Sequence, residues 1–146
     1  MGLDFGTNTT GVAISDPFFI IANPVSIIRR KDPSNIKATI NELEKICKEQ
    51  EVGKIVLGLP KNMNNTSGKR VEETILFQTK LKNRLQIPVV LWDERLSTVA
   101  ATNVLLEADL SRKKRSKVID KVAAVIILQN YLDANRGKEI GKNNIL

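Results

Sequence analysis

Asp4 stands between Leu3 and Phe5 in the apolar run GLDF, and small hydroxyl and amide side chains follow it in GTNTTG. A carboxylate in such a setting is costly to bury unless something binds it. Three roles are open to it: ligand of a metal that cuts a phosphodiester, wall of a nucleotide pocket, or cap of a turn. Further along, Asp93 and Glu94 close the apolar run IPVVLWDE, and Asp120 lies within KVIDKVAAVIILQ. Carboxylate oxygens are the ligands hard cations such as Mg²⁺ prefer, and clustered acids repel one another unless a cation or raised pKa values relieve them. Two such ions about 4 Å apart can activate a water and stabilise the leaving oxygen of a phosphodiester. Taken singly, each acid has a plainer reading: a turn cap, a strand-end ion pair with Arg95, or a favourable first-turn helix acid.

Composition narrows the chemistry. The 146 residues include no histidine and one cysteine, Cys47, which excludes an internal disulfide, a Cys/His metal cluster and Ser-His or Cys-His nucleophiles. Any metal ligands must therefore be carboxylates. Lys and Arg number 23 against 16 Asp and Glu, a formal charge of +7, which favours a polyanionic partner such as nucleic acid. Arg112, Lys113, Lys114, Arg115 and Lys117 in SRKKRSK precede Asp120, either as a solvated loop or as a phosphate clamp. Lys61 opens the polar segment KNMNNTSG and Lys69 and Arg70 follow it, and Arg95 is placed to pair with an acid or with a scissile phosphate. Aromatic residues make up only 4% of the chain, so binding should rest on backbone and shape rather than base stacking. The apolar runs stop short of bilayer length, and a soluble cytoplasmic protein is expected.

These groups need elements to position them. Residues 1–6 and 11–15 read as two strands joined by TNTTG and therefore antiparallel, and 25–30 as a third. Ile36, Ile40, Leu43 and Cys47 follow helical spacing from a start at DPSN, with Pro33 suited to a first turn. A buried strand at 54–60, a helix carrying Phe77, Leu81 and Leu85, and a buried strand at 87–94 continue the chain. A helix over 98–107, a charged loop at 111–117 and a helix over 117–133 complete it. Residues 1–135 form one domain on this reading, and 136–146 a loose tail. The order predicts an α/β, ribonuclease H-like fold: a five-stranded mixed sheet, three antiparallel strands and then parallel ones, flanked by helices. Asp4 then lies on a central strand and Asp93 and Glu94 at a strand end, where ligands gather in open sheets. Asp120 shares a helix face with Ala123, Ala124 and Ile127, and the two alanines allow close approach to the sheet.

The blocks GLDFGTNTTGVAISD, IVLGLPKNMNNTSG, VVLWDERLSTVAA and IDKVAAVIILQNYLD together resemble the YqgF (RuvX) family of ribonuclease H-like nucleases and Holliday junction resolvase-like proteins. The match runs over nearly the whole chain. The resemblance implies a metal-binding catalytic triad, Asp4, Glu94 and Asp120, with Asp93 as neighbour or stand-in for Glu94, using Mg²⁺ or Mn²⁺. It implies a nuclease trimming the 5′ end of pre-16S rRNA, or else a resolvase acting on branched DNA, with the loop flanked by Lys69 and Arg70 toward the substrate; beside the acids, Arg95 and Arg112, Lys113, Lys114 and Arg115 then read as phosphate-binding cations. A non-catalytic RNA-binding assembly module is the reading from a different class. Either a monomer or a dimer is compatible. The family usually carries basic residues just after the first-strand glycine; here Asn8, Thr9 and Thr10 bring no charge. The actin, Hsp70 and sugar-kinase superfamily also uses DxGT, but it closes two such domains over ATP.

Overall fold

A computed structural model describes residues 1–59, 68–93 and 112–135, with 112–121 described by backbone alone. Five strands, β1 (Gly2–Phe5), β2 (Thr9–Ser15), β3 (Ala22–Arg29), β4 (Ile55–Leu59) and β5 (Val89–Asp93), form one sheet in the order β3-β2-β1-β4-β5. β1 pairs antiparallel with β2 and parallel with β4, which pairs parallel with β5. The mixed sheet is thus the expected one, with Asp4 on its central strand.

Among the described residues three helices, α1 (Ile36–Glu49), α2 (Gly68–Leu85) and α3 (Arg112–Ala134), cover the sheet. On one face Leu3, Phe5, Val12, Ile55, Leu57 and Val89 pack with Ile40, Leu43 and Cys47 of α1 and Phe77 and Leu81 of α2. On the other, Ala13, Ala22 and Val56 meet Ala124, Ile127, Leu128 and Leu132 of α3. Cys47 is a buried core residue, and burial pushes its thiol pKa up.

The structure corrects several boundaries. β3 begins at Ala22, before the expected 25, because its antiparallel pairing with β2 continues through a bulge at Val12/Ala13 to Ser15↔Ala22. Pro24 is tolerated there because β3 is an edge strand. α1 starts at Ile36 behind Asn35, whose side chain accepts from the Ala38 amide, so Pro33 precedes the helix instead of opening it. β5 is the other edge, and beyond Val89 it is only half-buried. The charged segment expected as a loop at 111–117 is helical from Arg112, since Lys and Arg are strong helix formers and neither Gly nor Pro interrupts them. The expected helix over 98–107 and the tail 136–146 lie outside the described residues.

Between β2 and β3 the chain displays Phe18, Phe19, Ile20 and Ile21 to solvent. The Asp16 carboxylate accepts hydrogen bonds from the amides of Phe18, Ile20 and Ile21. Gln129 of α3 accepts from the Ala22 amide and donates to the Ile20 carbonyl. An apolar segment that would otherwise collapse is thereby held in a fixed turn.

Candidate active site

The strand period decides which acids share a face. Leu3 and Phe5 belong to the α1/α2 side, so Asp4 between them belongs to the α3 side, with Gly2. Val89 and Leu91 pack toward α1 and α2 and Val90 and Trp92 toward α3. Asp93 therefore falls on the face opposite to Asp4. Glu94 lies outside the described residues, as do Lys61 and Arg95.

Two glycines flank Asp4. On β2 its partner is Gly11. On β4, Leu3 pairs with Leu57, so one residue on Asp4 stands beside Gly58, which in turn pairs with Trp92 of β5. With strands about 4.8 Å apart, a half-buried carboxylate is left with no side chain on either adjacent strand at its level. Among the described residues no donor reaches the Asp4 carboxylate, so it is not the cap of the turn that follows. That turn is closed by Gly6 N–H donating to the Thr9 carbonyl at 2.7 Å. A partly desolvated, unpartnered carboxylate in an open cradle fits a cation ligand.

α3 brings the remaining acid from above. A Cβ placed on Gly2 would stand 2.8 Å from the Ala124 carbonyl oxygen and 2.6 Å from Leu128 Cβ. Tyr131 Oη accepts from Lys54 Nζ at 3.2 Å, and Leu132 borders Met1 and Lys54, so the C-terminal half of α3 lies at the strand beginnings. Its N-terminal half accordingly extends toward the strand ends. Asp120 is one turn before Ala124, about 6 Å along the axis, and is carried in the direction of Asp4. Ala124 and Ile127 are buried as the spacing implied, whereas Ala123 is only half-buried. Arg112, Lys113, Lys114 and Arg115 occupy the first turn of α3.

Arg70 and Lys69 open α2. The Arg70 Nη2 donates to the Phe5 carbonyl at 3.1 Å, which ties this cation to the end of β1; Lys69 is exposed. Three participants escape a sequence reading. Gly11 and Gly58 matter through register, although a glycine inside IVLGLP is already a sign of close backbone approach. Arg30 is the third: one residue beyond the end of β3 and on the same side as Ile28, it reaches the turn after Asp4. A cavity of about 600 Å³ lies at the opposite end of the sheet, between Ile14, Val52, Leu128 and Tyr131, and takes no part in this site.

The model of the family described as RuvX: Holliday junction resolvase matches residues 1–134. The chain belongs to the RuvX family. Curated RuvX relatives are close: one from Clostridium novyi (strain NT), named "Putative pre-16S rRNA nuclease", is 52% identical over 134 residues, covering 92% of this chain and 97% of that protein. One of the same name from Oceanobacillus iheyensis is 54% identical over 133 residues, covering 91% and 96%. Among solved structures, RuvC of T. thermophilus in complex with Holliday junction substrate superimposes with a TM-score of 0.54 at 11% identity, covering 93% of this chain and 94% of that one. At that identity the likeness shows the fold, which is the ribonuclease H-like one expected.

Proposed function

We propose that this protein is a divalent-metal-dependent nuclease that hydrolyses RNA phosphodiesters, processing the 5′ end of pre-16S rRNA during ribosome assembly in the cytoplasm. The observation that carries the chemistry is the Asp4 carboxylate between Gly11 and Gly58, on the sheet face that α3 covers. The names of relatives at 52% and 54% identity support RNA as the substrate.

Asp4, Glu94 and Asp120 would hold Mg²⁺ or Mn²⁺, which when bound activates water and neutralises charge on the departing oxygen. An all-oxygen donor set suits these hard cations, and the chain has no histidine to offer in its place. The two-residue period favours Glu94 over Asp93 as the companion of Asp4, because Asp93 falls on the other face. Gly11 and Gly58 leave room for a sugar–phosphate backbone to approach Asp4. Four cations in the first turn of α3 oppose its dipole, each at a cost of some tenths of a kcal/mol. A phosphate chain beside them offsets that cost, which supports their reading as a clamp. Arg70, anchored on Phe5, keeps further donors for substrate.

The test is to incubate the full chain with labelled precursor 16S rRNA and with a four-way DNA junction, each in Mg²⁺, Mn²⁺ or chelator. Metal-dependent shortening of the RNA at its 5′ end, with the junction intact, is expected. Resolution of the junction with the RNA untouched would make the protein a resolvase, the reading its family description favours. Binding of RNA without cleavage of either would make it an assembly module.

A further inference from the structure

The turn that follows Asp4 has its charge beneath it. Arg30 is 6% exposed, and its guanidinium lies 4.7 Å from the centre of the Phe5 ring. Nη2 donates to the carbonyls of Gly6 and Thr7, and Nη1 to Thr10 Oγ1 at 3.0 Å. The Arg30 backbone amide donates to the Asn8 carbonyl at 2.7 Å. With Arg70 on the Phe5 carbonyl, four consecutive carbonyls, from residue 5 to residue 8, are all engaged by two arginines.

Two features of this arrangement are incomplete. Among the described residues no carboxylate pairs with Arg30 or Arg70, and the buried Arg30 Nε has no hydrogen-bond partner. Burial, with no charged neighbour among its causes, holds the Arg30 pKa below the usual guanidinium value. A desolvated cation resting only on dipoles and a ring face is costly and calls for an anion. Above it, Thr7 and Asn8 are exposed, and among the described residues their amides meet no acceptor. Carbonyls engaged from beneath, together with amides of exposed residues that have no acceptor, suit an anion.

We propose that the Gly6–Thr9 turn, which leaves the end of β1 just after Asp4, seats a substrate phosphodiester, and that Arg30, reaching the turn from the Phe5 side of the sheet, opposite the Asp4 carboxylate, supplies the positive charge which the side chains of Asn8, Thr9 and Thr10 lack. This rests on the nucleic-acid substrate of the preceding reading. Arg30 is a positioning residue: it shapes the turn and sets its potential without touching the substrate.

The test is binding of a labelled 20-nucleotide single-stranded RNA in chelator, across a salt series, so that cleavage plays no part. Arg30→Gln, which keeps hydrogen-bonding capacity and removes charge, should weaken binding about tenfold and lower the log-log salt slope by up to about one unit. Arg30→Lys should retain most of the affinity. Asn8→Lys in the Arg30→Gln protein should restore affinity by returning a charge to the turn, which a purely structural defect would not allow. If Arg30→Gln fails to fold, the exposed substitution Asn8→Asp in the native background decides: it should weaken binding by placing a carboxylate over the seat. Unchanged affinity and slope in Asn8→Asp, or in a folded Arg30→Gln, would overturn the proposal. So would failure of Asn8→Lys to restore a folded Arg30→Gln. Absence of metal-dependent cleavage by the wild type, with this binding pattern intact, would overturn the nuclease reading and leave the phosphate seat standing.

Discussion

Gly2 of β1 and Leu128 of α3 are in such close approach that a single added methyl on the glycine would stand 2.6 Å from Leu128 Cβ and 2.8 Å from the Ala124 carbonyl oxygen. The helix backbone rests on the strand two residues before Asp4 and one turn after Asp120.

Gly2→Ala should push α3 away from the sheet. Overpacking of this kind costs about 1–3 kcal/mol, and backbone on one side of the contact cannot rotate aside. Denaturant unfolding should show that loss, and any cleavage activity should fall by more than the loss of folded protein explains, because the Asp120 position moves with the helix. Wild-type stability in Gly2→Ala would contradict the packing described.

Metal should stabilise the wild type. A ligand bound only by the native state contributes RT ln(1 + [L]/Kd), about 2.7 kcal/mol at a hundredfold excess, or roughly 5–10 °C in melting temperature for a chain of this size. Asp4→Asn, Glu94→Gln and Asp120→Asn should gain little with metal. In chelator they should melt at or above the wild-type temperature, since each relieves repulsion among acids. Asp93→Asn should respond to metal nearly as the wild type does, because Asp93 lies on the other face. A reversed pattern for Asp93 and Glu94 would exchange their roles.

Replacing Arg112, Lys113, Lys114 and Arg115 by Ser should weaken RNA binding and reduce its salt slope, by about one unit for each lost phosphate contact. Base preference should be unchanged. An unaltered slope would show that the first turn of α3 stays clear of the substrate.

Asp16 makes the apolar β2–β3 turn sensitive to acid. The Ile21 amide, helped by those of Ile20 and Phe18, holds its carboxyl below the usual carboxylate pKa. A folded-state pKa below the unfolded value stabilises the native protein fully above the unfolded pKa, and that contribution is lost as pH falls through the folded one. Asp16→Ala should therefore be less stable than wild type at neutral pH, with the difference shrinking in acid. Amide exchange at Ile20 and Ile21 should quicken in the variant. A difference independent of pH would remove the charged carboxylate from this account.

Much of this fold is legible in the sequence because its elements have clean periods. GLDFG and GVAIS alternate into a hairpin, and Ile40, Leu43 and Cys47 mark the buried stripe of α1. What depends on partners distant in the chain is not legible. The openness around Asp4 exists only once register sets Gly11 and Gly58 beside it. Nothing in the strand reading of 25–30 singles out Arg30, which is carried under the Gly6–Thr9 turn only once β3 pairs with β2. The start of α3 is hidden by its own charges, which resemble a solvated loop. Of the acids, Asp4 and Asp93 are placed by the strands that carry them, and Asp120 by the helix backbone.

The most direct test of the central claim is a time course of 5′-end cleavage on labelled precursor 16S rRNA by wild type and Asp4→Asn, in Mg²⁺ or Mn²⁺ and in chelator. Loss of even an outer-shell partner of a metal costs about 10–100-fold in activity or affinity. Removal of a ligand should therefore slow Asp4→Asn by about a hundredfold or more while it remains folded, and chelator should abolish wild-type cleavage. Cleavage by folded Asp4→Asn at the wild-type rate, or wild-type cleavage undiminished in chelator, would contradict the account.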